Sequence, residues 1–328
     1  MSTVVEAPPQ ESLPARMRRQ VGKSLTKGFF LAGAHGARVL PVSIPAVHGV
    51  EVQRDLAYGP RPEHRLDLYR PKKVSGRLPT VVYVHGGAFH FMSKGTHWMF
   101  ALMYARAGYQ VLTLDYRLAP EHRYPAAVED LCQFIVWLRD NADTHRVDLE
   151  RLALAGESAG GNLATALTLA LTTRRDEHFA RAAFDTGVVP KVALPACAVL
   201  QVSDPGHIPV SGFASTFFMD RFEEMATAYL PTTPLPLGHR ALDLVDIIVA
   251  LERGEPTDRP LPKFFAPSGA ADPLKHDAAR LETVLRARGV HVEAPVYEGG
   301  MHAFHAFVFN AKARRCWRDK YAFLAQHL

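Results

Sequence analysis

The sequence predicts an α/β fold: a mostly parallel central sheet flanked by helices, with a helical cap. Two observations lead there. Short runs of β-branched and aliphatic residues alternate with longer helix-like runs, the rhythm of a parallel sheet covered on both faces. One interval, 205–258, breaks that rhythm. It carries Phe213, Phe217, Phe218, Met219, Phe222, Met225 and Tyr229 with Pro231, Pro234 and Pro236, and reads as an inserted helical cap.

The elements follow in order. Residues 1–14 hold Pro8, Pro9 and Pro14 among polar residues and read as loose chain. Residues 64–70 alternate polar and apolar like a strand. The run 78–84 is β-branched and apolar enough for a buried strand. A helix is expected over 96–108, a strand over 109–114, and a helix over 125–141 with Pro125 in its first turn. A strand at 152–155 leads into Gly156-Glu157-Ser158-Ala159-Gly160, and a helix follows through 162–167. Beyond it, 192–202 reads as a strand, 262–268 as another, 277–288 as a helix, 290–297 as the last strand and 310–328 as a closing helix. The cap's aromatics fit two uses, lining an apolar pocket or forming the cap's own small core.

Composition narrows the function classes. The 328 residues are 48% hydrophobic and 22% charged, enough for a substantial core. The net charge of +5 (38 basic minus 33 acidic) comes without aromatic-basic interleaving or a basic repeat, so nucleic acid is not the expected partner. Cys132, Cys197 and Cys316 form no CxxC pair, and an odd, sparse count points to reduced thiols and a cytoplasmic setting. Sixteen histidines show no HExxH or His/Cys pair at ligand spacing, so neither metal nor other cofactor is expected.

Near the N-terminus, Arg16, Arg18, Arg19, Lys23 and Lys27 precede the short apolar run 28–34. That run is too brief, and too soon followed by His35 and Arg38, to read as an export signal. No stretch reaches the roughly 18 to 20 apolar residues needed to span a bilayer. A basic amphipathic helix fits, in one of three roles: a lid, a weak membrane-surface contact, or an ordinary packed helix.

The chemistry centres on Ser158. Strand, G-x-S-x-G, helix places a serine on a tight turn at a helix N-terminus, where the dipole favours developing negative charge. The pentapeptide alone also fits a glycine-bracketed turn with an idle serine. A nucleophile needs a base, and His302 follows the last expected strand on a glycine-containing loop; His305, three residues on, is the rival at the start of the closing helix. The base needs an orienting acid. Asp272 lies just past a strand end, stiffened by Pro273, and Asp204 is the alternative. Oxyanion donors are expected from the backbone of Gly86 and Gly87, directly after the strand ending at Val84, with Ala159. His85 is expected to brace that loop.

Four blocks together resemble the hormone-sensitive-lipase-like carboxylesterases of the α/β-hydrolase superfamily. They are His85-Gly86-Gly87-Ala88-Phe89; Asp115 through Glu121 continuing by Tyr124-Pro125-Ala126-Ala127 to Glu129-Asp130; the Ser158 pentapeptide extended through Ala164; and the Asp272 and His302 segments. The resemblance spans roughly residues 60–310. It implies the α/β-hydrolase fold and a Ser158–Asp272–His302 triad, with an oxyanion hole from Gly86, Gly87 and Ala159. It also implies a catalytic domain of 51–204 plus 259–328, and a cap made of 1–50 and the 205–258 insertion. The implied activity is cofactor-free hydrolysis of short- to medium-chain acyl esters through an acyl-enzyme. The rival activities are amide or formyl hydrolysis on the same triad, and ligand reception without catalysis. The expected partner is a small-molecule ester, and the sequence is compatible with a monomer or a homodimer.

Three positions depart from the family pattern. Ala88 replaces a third glycine, Glu157 stands where Asp or Thr is more usual, and His276 takes the place of an acidic residue two positions after Leu274.

Overall fold

The computed structural model describes residues 17–19, 21, 22, 24, 28, 31–33, 36, 38, 41–72, 74–209 and 215–328. Arg16, Lys23, Lys27 and three positions of the apolar run (Phe29, Phe30 and Ala34) lie outside these residues, as does Phe213.

The strands are β1 (Val50–Ala57), β2 (Arg65–Pro71), β3 (Leu78–Val84), β4 (Gln110–Leu114), β5 (Val147–Glu157), β6 (Val192–Ala196), β7 (Lys263–Phe265) and β9 (Val292–Glu293), in the sheet order β1-β2-β4-β3-β5-β6-β7-β9. β1, β2 and β4 pair antiparallel, and every pairing from β4 onward is parallel. β8 (Ser268–Gly269) and β10 (Val296–Tyr297) form a short separate parallel pair.

The helices are α1 (Trp98–Arg106), α2 (Ala126–Asn141), α3 (Ala159–Thr172), α4 (His178–Asp185), α5 (Ser215–Tyr229), α6 (Ile247–Glu252), α7 (Lys275–Ala287) and α8 (Ala311–His327). The two-residue period of the strands sorts them into layers. Val82, Val84, Leu152 and Leu154 face one way, into a core shared with Leu131, Ile135, Leu163, Leu167 and Leu281 of α2, α3 and α7. Val81, Tyr83, Ala153 and Ala155 face the other way, against Trp98, Phe100, Trp317 and Phe323 of α1 and α8.

The layered α/β-hydrolase architecture is the one expected, and the departures have local causes. β1 and α4 have no counterpart in the expected elements. The run 192–202 stops being a strand at Ala196, because Cys197 turns the chain at φ 39°. Beyond it the backbone bonds to carboxylates instead of a neighbouring strand: Leu200 N–H donates to Asp277 (2.6 Å) and Val202 N–H to Asp246 (2.7 Å). Pro267 interrupts the strand expected over 262–268, and Pro295 the one over 290–297, since proline supplies no ladder donor.

The interval 205–258 divides into two differently packed parts. Its later part carries Leu242, Leu244, Val245, Ile247, Ile248 and Leu251 into the main core beside α3. That follows from topology: β6 and β7 are parallel neighbours and need a crossover element between them. Its earlier part is α5, which buries Met225, Ala226 and Tyr229 and leaves Phe217 exposed. Arg18 pairs with Asp220 (2.7 Å) and Arg19 with Glu223 (2.5 Å), tying the N-terminal segment to α5.

Candidate active site

The turn from β5 into α3 is tight because its glycines leave no room for a side chain. A Cβ on Gly156 would sit 2.3 Å from Gly160 O, and one on Gly160 would sit 2.2 Å from Val84 O. Ser158, between them, is held at φ 55° and ψ −121°, a strained conformation for a non-glycine residue. Ser158 N–H donates to Ala196 O (3.0 Å), which pins the elbow to β6. The serine side chain is half-buried at the first turn of α3.

His302 lies between β10 and α8, and its Nε2 is 3.1 Å from Ser158 Oγ. Its Nδ1 is 3.0 Å from Asp272 Oδ2, so the ring bridges serine and carboxylate. Asp272, in the turn after β8, is buried, and its other oxygen accepts the Leu274 N–H (2.9 Å). Burial presses the His302 imidazole toward neutrality, but the Asp272 charge outweighs it and the pKa rises above 6.5. This electrostatic support is what a base needs if it is to carry a proton transiently.

The rival residues lie elsewhere. Asp204 caps a short 3-10 turn, accepting Gly206 N–H (3.1 Å). His305 sits in a separate 3-10 turn, Phe304–Ala306, and not at the start of α8, which begins at Ala311. It packs in the core near Phe100 and Trp317. Burial, reinforced by Lys320, pushes its pKa down to about 3.

The expected oxyanion donors need one correction. Gly86 N–H is committed: it donates to Glu157 Oε1 at 2.7 Å, which removes it as an oxyanion donor. The reason is steric as well as electrostatic, since a Cβ on Gly86 would fall 2.4 Å from that same oxygen. Gly87 and Ala159 N–H have no acceptor among the described residues, and neither does Ala88 N–H. Gly87 is at φ 114° and Ala88 at φ 49°, so the alanine that replaces the third glycine takes a left-handed conformation. His85 braces this loop, stacking on Tyr116 (4.3 Å between centroids) with Nδ1 2.8 Å from Gly86 O. Burial holds it neutral, with its pKa lowered to about 3.

Glu157 proves to be the hub of the elbow. Its buried carboxylate accepts from Gly86 N–H, from His97 Nε2 (2.7 Å) and from the Tyr83 hydroxyl. Burial alone would raise its pKa, yet His97 and these hydrogen bonds hold it at about 2. His97 responds in kind: burial opposes its charge, and Glu157 raises its pKa regardless. Neither Tyr83 nor His97 was singled out in the sequence, because nothing along the chain links a mid-strand tyrosine to a residue 74 positions away.

The unexpected His276 is exposed, and the buried acid of this segment is its neighbour Asp277. Asp277 accepts from His207 Nε2 (2.7 Å) as well as from Leu200 N–H, joining α7 to the chain beyond β6.

Comparison with known proteins places this geometry. A family model described as the α/β-hydrolase fold matches residues 81–306, and the chain belongs to that family. It is 31% identical over 281 residues to the carboxylesterase NlhH of Mycobacterium tuberculosis, covering 77% of this chain and 81% of that protein. It is 26% identical over 340 residues to the probable carboxylesterase 8 of Arabidopsis thaliana, covering 98% of this chain and 96% of that one. Among solved structures, the Pyrobaculum calidifontis esterase superposes with a TM-score of 0.69 at 26% identity, covering 96% of this chain and 98% of that one. Esterase LipW from Mycobacterium marinum shares the fold, with a TM-score of 0.73 at 23% identity, covering 98% of this chain and 97% of that one. Within the family, the protein is a carboxylic ester hydrolase of the hormone-sensitive-lipase-like kind.

Proposed function

We propose that the protein hydrolyses short- to medium-chain acyl esters through a Ser158–His302–Asp272 triad and an acyl-enzyme intermediate. The observation that supports this most is the unbroken series from Asp272 Oδ2 through the His302 ring to Ser158 Oγ, with both links near 3 Å (3.0 and 3.1 Å). His302 Nε2 takes the serine proton as Oγ attacks the ester carbonyl, and Asp272 keeps the proton-bearing nitrogen of the ring on its own side. The N–H groups of Gly87, Ala88 and Ala159 receive the oxyanion. His302 then returns the proton to the departing alcohol, and water repeats the cycle on the acyl group.

In this reading α5 and the N-terminal segment bound to it by Arg18 and Arg19 form the cap over the acyl site. The working environment is the cytoplasm, supported by three buried free thiols. No helix among the described residues is long and apolar enough to cross a membrane.

Ser158→Ala is expected to lower kcat on p-nitrophenyl butyrate by several orders of magnitude with folding intact, because triad members act as a unit. Retention of most activity would sink the assignment. A series from acetate to decanoate esters tests the substrate range: activity should peak at the short esters and fall steeply toward decanoate.

A further inference from the structure

The triad has a fourth neighbour that ester hydrolysis does not use. Cys197 Sγ, a carboxylate oxygen of Asp272 and a ring nitrogen of His302 all lie within 4.8 Å of one another. Cys197 sits at the turn where β6 ends, with φ at 39° and its N–H donating to Pro267 O (2.9 Å), so the strand end itself aims the thiol at the acid and the base. Cys197 and Asp272 are about 1% exposed, whereas the His302 side chain is 28% exposed and gives the cluster its opening. Glu157 adds a second buried carboxylate nearby.

We infer that Cys197, Asp272 and His302 form an inhibitory site for a thiophilic divalent cation of the zinc type. The inference rests on the triad reading above and concerns the regulation of that same site. A thiolate, an imidazole and a carboxylate are a zinc-like donor set, and three protein ligands with one open position suit a tetrahedral ion. Around such an ion, ligand atoms stand about 3.5 Å apart, given bond lengths of about 2.0 to 2.3 Å, so the thiol draws inward while the Asp272–His302 contact, now 3.0 Å, opens slightly to admit the ion.

The binding step is redox-neutral. The thiol releases its proton to solvent as the metal–sulfur bond forms. A carboxylate oxygen of Asp272 and Nδ1 of His302 complete the set, and the imidazole proton moves from Nδ1 to Nε2. The nitrogen that faces Ser158 then carries a proton and cannot accept the serine's. Binding therefore removes the general base and leaves the serine in place.

Cobalt(II) and zinc(II) test this on the full-length protein. Cobalt should produce a thiolate-to-metal charge-transfer band in wild type and in Ser158→Ala, and no such band in Cys197→Ala. Zinc should suppress ester hydrolysis at least about tenfold, reversed by a chelator, and Cys197→Ala should need at least about tenfold more zinc for half-inhibition. Absence of the band from wild type, or equal zinc sensitivity in wild type and Cys197→Ala, would overturn the inference. The band is read without substrate, so a failure of the hydrolytic reading would be seen separately, and its absence from wild type overturns the inference even if Cys197→Ala misfolds.

Discussion

Glu157 shows how much one side chain can organise next to Ser158. Its carboxylate anchors Gly86, the first residue of the loop that presents Gly87 and Ala88. It also pairs with the His97 imidazole inside the protein and raises its pKa. A buried pair of this kind adds little net stability when intact and costs a great deal when halved. Glu157→Ala should therefore destabilise the protein by about 3 to 5 kcal/mol in urea unfolding. Glu157→Gln keeps the volume and removes the charge. It is expected to lower kcat by about tenfold or more with KM nearly unchanged, since the loop proposed to receive the oxyanion loses its anchor. Wild-type kcat in that variant would show that the loop holds itself.

At the scale of elements, α5 is held by its last residue. Tyr229 stacks on Phe89 of the glycine loop at 3.8 Å between centroids, and its carbonyl accepts the Tyr124 N–H (2.7 Å). Its buried hydroxyl has no hydrogen-bond partner among the described residues. Tyr229→Phe should therefore leave the thermal midpoint unchanged or slightly higher, because a desolvated, unpaired hydroxyl is lost. Tyr229→Ala should cost about 3 to 5 kcal/mol, the range for truncating a buried aromatic. A large loss in Tyr229→Phe would reveal a partner for the hydroxyl. The motif-bearing elements were legible in the sequence because glycine spacing and apolar runs encode them locally. β1 and α4 were not, and the strand expected over 192–202 ended early at Cys197. Its continuation bonds to Asp246 and Asp277, residues far along the chain that no local pattern announces.

For the whole molecule, the buried charges make stability depend on pH from both sides. The folded-state pKa of Glu157 is depressed to about 2 from an ordinary 4.5. Its contribution is full above pH 4.5 and is lost as pH falls toward 2. His85 and His305 add to the acid loss: they stay neutral in the fold down to about pH 3, while the unfolded chain protonates them from 6.5 downward. His97 acts on the other side. Its pKa is raised, so its contribution is complete below 6.5 and fades as pH climbs through the folded value. Urea midpoints measured across pH at fixed ionic strength should fall on the acid side, with the loss between 4.5 and 2 reduced in Glu157→Gln. An unchanged acid profile in that variant would place the titrating group elsewhere.

Sequence by itself determined the fold class, the family, and which serine, histidine and aspartate to bring together. Each of these is written locally, as a glycine pair that forces a turn, a strand end, or a proline-stiffened loop. Tertiary structure alone decided the partners. Only packing could show that Gly86 spends its N–H on Glu157, that Asp204 and His305 stand apart from Ser158, or that Cys197 borders Asp272 and His302. The physical reason is distance along the chain: a hydrogen bond joining residues 71 or 144 positions apart leaves no periodicity, and it exists only once the sheet has set both ends in place.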